Sequence, residues 1–242
     1  MRIDILTLFP EMIEGIINSS ISKRAIDSNL IEVHIHDFRD YSRKANKRVD
    51  DYSYGGGAGM IIEVQPIVDC LRSIPGYEKA YKVITTAQAK TYNQKKAVEL
   101  SKIDHLIIIC GHYEGIDYRI MNYVDEGISI GDYILTGGEI AALAIYDSVI
   151  RLIPNVLGNS ESTVDESFSS DLLEYPQYTR PVEFEGHEVP SVLVNGHHEN
   201  IRKYRRKESL RLTKKYRPDL LIGKELSKED SILLKELEEE NK

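Results

Sequence analysis

Apolar and polar residues alternate along "RIDILTLF" near the start of the chain and again along "IEVHIHDF" from residue 31. A period of two marks a half-buried strand. Between these stretches, "EMIEGIINSSISKRAID" has helical spacing. "AYKVITT" and the continuously apolar "HLIIICG" read as buried strands, with "TYNQKKAVELSKI" as the helix that joins them. Strand–helix–strand repetition predicts an α/β fold on a parallel sheet with helices on both faces. A longer helix is expected over "GEIAALAIYDSVIRLI", stopped by Pro154. Residues 155–170, "NVLGNSESTVDESFSS", are short, polar and turn-rich, and predict a mobile linker. Beyond them the chain reads as mostly helical, punctuated by Pro176, Pro181, Pro190 and Pro218, and ends in one acidic amphipathic helix, "KELSKEDSILLKELEEENK". The 242 residues suit a main domain with a smaller appendage.

Charge changes this picture. A net charge of −8 argues against a nucleic-acid partner, but its distribution argues for one. "IRKYRRKESLRLTKKYR", residues 201–217, holds nine Lys/Arg against the single acid Glu208, so +8 sits here and −16 on the rest. Such asymmetry predicts a basic face on an acidic body, with Tyr204 and Tyr216 interleaved. No apolar run approaches the roughly 18 residues that span a bilayer. The first residues carry Arg2, Asp4, Pro10 and Glu11 and read as a strand rather than a signal peptide. Cys70 and Cys110 are isolated, which predicts neither a disulfide framework nor a zinc site, no metal ligands, and a reducing cytoplasm as the protein's location.

The candidate chemistry lies in two glycine-rich stretches, "GHYEGID" at 111–117 and "SIGDYILTGGE" at 129–139. Glycine inside a helix or strand costs about 0.5–1 kcal/mol, so these are turns. Turns at the ends of parallel strands are where open α/β sheets bind ligands. Two close together point to a cleft rather than a simple connection, and Glu114 and Asp117 offer carboxylates to a cation or hydroxyl. A third cluster, "DDYSYGGGAGM" at 50–60, lacks the G-K-[ST] ending of a P-loop and the spacing of G-x-G-x-x-G. Spacing alone predicts a nucleotide-like ligand in unusual loops.

The ordered set VDDYSYGGGAGM, GHYEGID, SIGDYILTGGE, IPNVLGN, DESF, YPQYTRP and EVPSVLVNGHH, spread from the first strand to about residue 225, resembles the bacterial tRNA (guanine-N1)-methyltransferases of the SPOUT, trefoil-knotted superfamily. That family methylates the guanine immediately 3′ of the anticodon. The resemblance implies a deep trefoil knot in the sheet domain, S-adenosyl-L-methionine as methyl donor, a homodimer with the active site at the subunit interface, and tRNA as partner without a membrane. It leaves Mg2+ open as an accessory ion. It divides the chain into a knotted cofactor domain at 1–160, a linker at 161–170 and a small, mostly helical tRNA-binding domain at 171–242.

By the same resemblance Gly111, Tyr113, Glu114, Ile130, Gly131, Asp132, Tyr133, Ile134, Leu135, Gly137 and Gly138 line the cofactor site. Main chain reaches an adenine edge only where no Cβ intervenes, and Glu114 suits the cationic methionine end. Guanine N1 carries a proton at neutral pH, so transfer needs a base there and a stabiliser for charge spreading onto O6. The family has Asp-Ser-Phe in the linker; here the run is Asp165-Glu166-Ser167-Phe168, which gives Glu166 the base position beside Asp165. Arg151 matches the arginine that faces O6. The tRNA-binding expectation falls on Arg180, Arg202, Lys203, Arg205, Arg206 and Lys207. Other departures are His112 for the family's Arg, Thr86-Ala87-Gln88-Ala89 for Ser-Pro-Gln-Gly, Ser53 for Pro and Gln177 for His. The rival readings are a knotted ribose 2′-O-methyltransferase and a tRNA-binding protein without catalysis.

Overall fold

The first alternating stretch becomes β1 (Arg2–Thr7), and helices α1 (Pro10–Ile17) and α2 (Ser20–Asp27) lead from it to β2 (Glu32–Asp37). In this computed structural model, which describes residues 1–158, 166–169 and 171–240, the chain forms two compact units, Met1–Asn159 and Ser160–Lys242. The first unit continues through the short strands β3 (Asp50–Asp51) and β4 (Ile61–Ile62), α3 (Val64–Ser73), β5 (Tyr81–Thr85), α4 (Gln94–Leu100), β6 (His105–Ile109), β7 (Glu126–Ile128) and α5 (Glu139–Ile150). Its five-stranded sheet runs β2-β1-β6-β5-β7, every neighbouring pair parallel.

The apolar run of β6 is explained by its central place. Leu106 and Ile108 pack on one face with Ile3, Ile5 and the residues of α1 and α5, while Ile107 and Ile109 pack on the other with Leu6 and α3. A strand covered on both faces has no polar side to show. Each of these fully buried aliphatic side chains contributes about 1.5–3 kcal/mol.

The stretch expected as one helix over 11–27 is two. Ser19 Oγ donates to the Ile16 carbonyl at 2.9 Å and Ser22 Oγ to that of Ile17 at 2.8 Å, while Ser20 takes φ +47°. Short hydroxyl side chains that compete for the helix carbonyls end α1 there. On β1, Asp4 is fully buried and held by Arg2 (2.7 and 3.0 Å), His36 (2.7 Å) and His105 (2.7 Å).

The second unit carries the hairpin β8 (Glu183–Phe184) and β9 (His187–Glu188), the single turn α6 (Ser191–Val194), α7 (His198–Tyr216) and α8 (Lys228–Glu239). Leu210 of α7 packs with Leu233 and Leu237 of α8 and with Leu172. Ser227 and Asp230 close a capping box at the start of α8. Residues 173–189, expected to be helical, are extended apart from the hairpin. Pro176, Pro181 and Pro190 account for it, because each proline removes a donor and biases its predecessor toward extended backbone.

Candidate functional site

The loops that leave β5, β6 and β7 meet at the carboxyl edge of the sheet and enclose a cleft of about 840 Å3. Of the eleven residues expected at the cofactor, ten line this cleft; Asp132 does not, and is exposed. The loops cross in direct contact: Gly138 N–H donates to the Gly111 carbonyl at 2.6 Å. A Cβ at Gly138 would stand 2.1 Å from Thr85 Oγ1 and 2.7 Å from the Gly111 nitrogen, so only glycine fits. Ile130, Ile134 and Leu135 line the cleft, and their N–H groups donate to no acceptor among the described residues.

The third glycine cluster packs against the loop that holds Glu114. Glu114 N–H donates to the Met60 carbonyl at 3.1 Å and Ile62 N–H to that of Gly115 at 2.9 Å. A Cβ at Gly59 would lie 2.3 Å from Glu114 Cγ, so the 50–60 segment closes directly over the Glu114 side chain. Asp117, the other candidate carboxylate, is taken by Arg119, which binds it through Nε (2.9 Å) and Nη2; that hydrogen bond holds its carboxyl below the ordinary range.

Behind His112, which lines the cleft, lies a buried acid the sequence reading did not single out. Glu139, in the first turn of α5, is 1% exposed and accepts from Thr7 Oγ1 of β1 at 2.8 Å. Its other oxygen is 3.8 Å from Nδ1 of His112, whose ring sits against Phe9 (4.7 Å) and Tyr113 (5.2 Å). The only sequence sign of Glu139 was an acid at a helix start, where the dipole favours it. Burial, with Glu139 adding to it, pushes the Cys110 thiol well above its usual range, and burial pushes Cys70 up to about 12. Neither cysteine is a nucleophile in that state.

Arg151 follows α5 in the first unit, its N–H bonded to the Asp147 carbonyl at 3.3 Å. Glu166 belongs to the second unit, where its carbonyl accepts from Ser169 N–H at 3.1 Å. The turn after it is pinned to α7. Glu174 N–H donates to Ser167 Oγ at 2.9 Å, Leu173 N–H to Thr213 Oγ1 at 2.9 Å, and the Arg217 guanidinium lies 5.7 Å from the Phe168 ring centre. Asp165 and residues 161–164 and 170 of the expected linker lie outside the described residues.

The basic helix is heavily neutralised by its neighbours. Arg202 binds Glu199 and Glu229; Arg206 forms a two-pronged pair with Asp230 at 2.7 and 2.9 Å; Lys207 bridges Glu236 and Glu240, each at 2.8 Å. Lys203 makes only a 3.9 Å approach to Glu199. Among the described residues no carboxylate pairs with Arg180 or Arg205; Arg205 instead lies 4.8 Å above the Tyr175 ring.

Residues 1–223 match the family model described as tRNA (Guanine-1)-methyltransferase TrmD. The chain is 56% identical over 234 residues to a tRNA (guanine-N(1)-)-methyltransferase of Clostridium botulinum (strain Eklund 17B / Type B), covering 97% of this chain and 98% of that one. It is 55% identical to the enzyme of the same name from Clostridium novyi (strain NT), over 97% of each chain. With that of Clostridium beijerinckii (strain ATCC 51743 / NCIMB 8052) it shares 54% identity, over 97% of this chain and 98% of the relative. An unbroken match of this extent takes in both the glycine-floored cleft and the basic helix, and the chain belongs to the tRNA (Guanine-1)-methyltransferase TrmD family.

Proposed function

We propose that this protein transfers a methyl group from S-adenosyl-L-methionine to N1 of the guanine immediately 3′ of the tRNA anticodon. The observation that carries this reading is the family match over residues 1–223, which spans the cleft and both candidate catalytic residues. The cleft fits the cofactor's chemistry. Unpaired N–H groups at Ile130, Ile134 and Leu135 suit the acceptors of an adenine edge, and Glu114 suits the cationic methionine end. When bound, S-adenosyl-L-methionine supplies an electrophilic methyl group on a sulfonium.

The chain's own part is to position the guanine and move one proton. Glu166 takes the N1 proton, which leaves the N1 lone pair available, and Arg151 stabilises the negative charge that spreads onto O6. Asp165 is the alternative base. Arg180, Lys203 and Arg205 make the principal phosphate contacts, with Arg202, Arg206 and Lys207 contributing less because acids already neutralise them. Ile134, 84% exposed, and Ile140, 50% exposed, flank the cleft loop and suit a second copy that completes the site in a homodimer. Family membership supports knotted threading and a cytoplasmic location.

Labelled S-adenosyl-L-methionine with tRNA transcripts that have or lack guanine after the anticodon tests the reading. Label should enter only the former, and nucleoside mass spectrometry should find 1-methylguanosine. A ribose 2′-O-methyl product would support the rival knotted enzyme. Binding of tRNA without binding of the donor would leave a non-catalytic protein. Repeating the assay across an EDTA titration tests Mg2+.

A further inference from the structure

The second unit has a cavity of its own, about 400 Å3, between the extended 175–182 segment, Val189, Leu193 and the start of α7. That volume lies within the range of sites for small planar ligands, about 300–1,000 Å3. Its lining carries two tyrosines and two guanidiniums, Tyr175, Tyr178, Arg180 and Arg205, and no carboxylate. The absence of acid is selective, since the neighbouring cations Arg202, Arg206 and Lys207 are all matched by acids of α8. Arg205 turns from them to stack on Tyr175, and Tyr178 is 48% exposed.

We propose that this cavity holds one unstacked nucleotide of the bound RNA, its base against Tyr178 and the Tyr175–Arg205 stack, and its phosphate on Arg180. Flat aromatic and guanidinium surfaces take a base of any identity by stacking, and two cations without an opposing acid select an anionic ligand over a neutral one. The proposal rests on tRNA being the substrate, as above. It assigns to the helical unit a base contact in addition to backbone attraction.

The test uses the full-length protein and measures tRNA affinity across a salt series, with donor binding followed separately. Tyr178→Ala should weaken tRNA binding by roughly 5- to 150-fold, the worth of one stacked base, without changing the salt slope or donor affinity. Tyr178→Phe keeps the stack and should bind like the parent. Arg180→Gln should lower the slope by roughly 0.7–0.9, as one phosphate contact is lost. Val182→Glu, a change at the exposed rim, should weaken binding by supplying the missing acid, and decides the matter if Tyr178→Ala fails to fold. Parental binding by Tyr178→Ala and Val182→Glu overturns the proposal and leaves the cavity to a protein partner. So does equal loss in the Phe and Ala variants, which would make the hydroxyl of Tyr178, not its ring, the group that matters. Methylation by the parent is scored independently. A protein that shows this binding pattern without forming 1-methylguanosine refutes the activity and keeps the nucleotide site, whereas normal methylation with silent variants does the reverse.

Discussion

Nδ1 of His112, a residue that lines the cleft, and Oε2 of the buried Glu139 stand 3.8 Å apart, and neither atom has a hydrogen-bond partner among the described residues. The other carboxylate oxygen accepts from Thr7 Oγ1, 132 residues away in sequence. Thr7→Val keeps the shape and removes that donor, and should cost about 1–3 kcal/mol, the penalty for stranding a buried acceptor. Urea unfolding measures it. No loss would mean that another donor takes the place of the Thr7 hydroxyl.

Gly138→Ala should abolish donor binding and lower stability by about 1–3 kcal/mol through overpacking, because its Cβ meets the Gly111 backbone at 2.7 Å. Gly158→Ala, with nothing within 4 Å of the new Cβ, should leave both unchanged. Calorimetry with S-adenosyl-L-methionine and thermal unfolding read the two effects.

Glu166→Gln should leave donor and tRNA affinity near parental and lower turnover by about 10²–10⁴-fold, the usual worth of a general base. Raising the pH should partly rescue it, as guanine N1 then loses its proton unaided. Glu166→Asp should remain active and Asp165→Asn should cost much less. A dead Asp165→Asn beside an active Glu166→Gln would exchange the two roles.

Arg206→Gln should act on stability before affinity. Its partner Asp230 is buried, and the Arg206 hydrogen bond holds that carboxyl below its ordinary range. Losing a charged hydrogen bond there should cost about 1.5–3 kcal/mol, read by urea unfolding. Lys203→Gln should leave stability unchanged and lower the salt slope for tRNA by roughly 0.7–0.9.

Acid should weaken the sheet through Asp4. Burial alone would raise its pKa, but hydrogen bonds from His36, Arg2 and His105 outweigh it and hold the carboxyl well below the usual carboxylate range. The folded state therefore binds this proton less readily than the unfolded chain, whose value is about 3.9. The contribution is present above that value and is lost as pH falls below it. Unfolding midpoints measured from pH 5 down to 2 should fall more steeply for the parent than for Asp4→Asn.

Sequence pattern revealed β1, β2, β5 and β6 because each buries a regular face, and α5 because its apolar positions recur at helical spacing. β7 escaped, since three residues are too few to show a period and its place is fixed by pairing with β5. The cleft loops were legible through their glycines. The Thr7–Glu139–His112 cluster was not, because it is made by residues far apart in the chain. Charge counting found α7, but the pairs that α8 makes with it span 24–33 residues, as in Arg206–Asp230 and Lys207–Glu240, and no local window contains them.

Strand order also sets a schedule. Arg2 of β1 pairs with His105 of β6, so β1 has only β2 beside it until some hundred more residues have been made. At about 5–20 residues per second, a nascent chain keeps that apolar edge open for roughly 5–20 s. The cleft, built from loops on β5, β6 and β7, comes after. Chaperone demand during synthesis should therefore fall on the interval before β6 emerges from the ribosome, well before there is any cofactor site to protect.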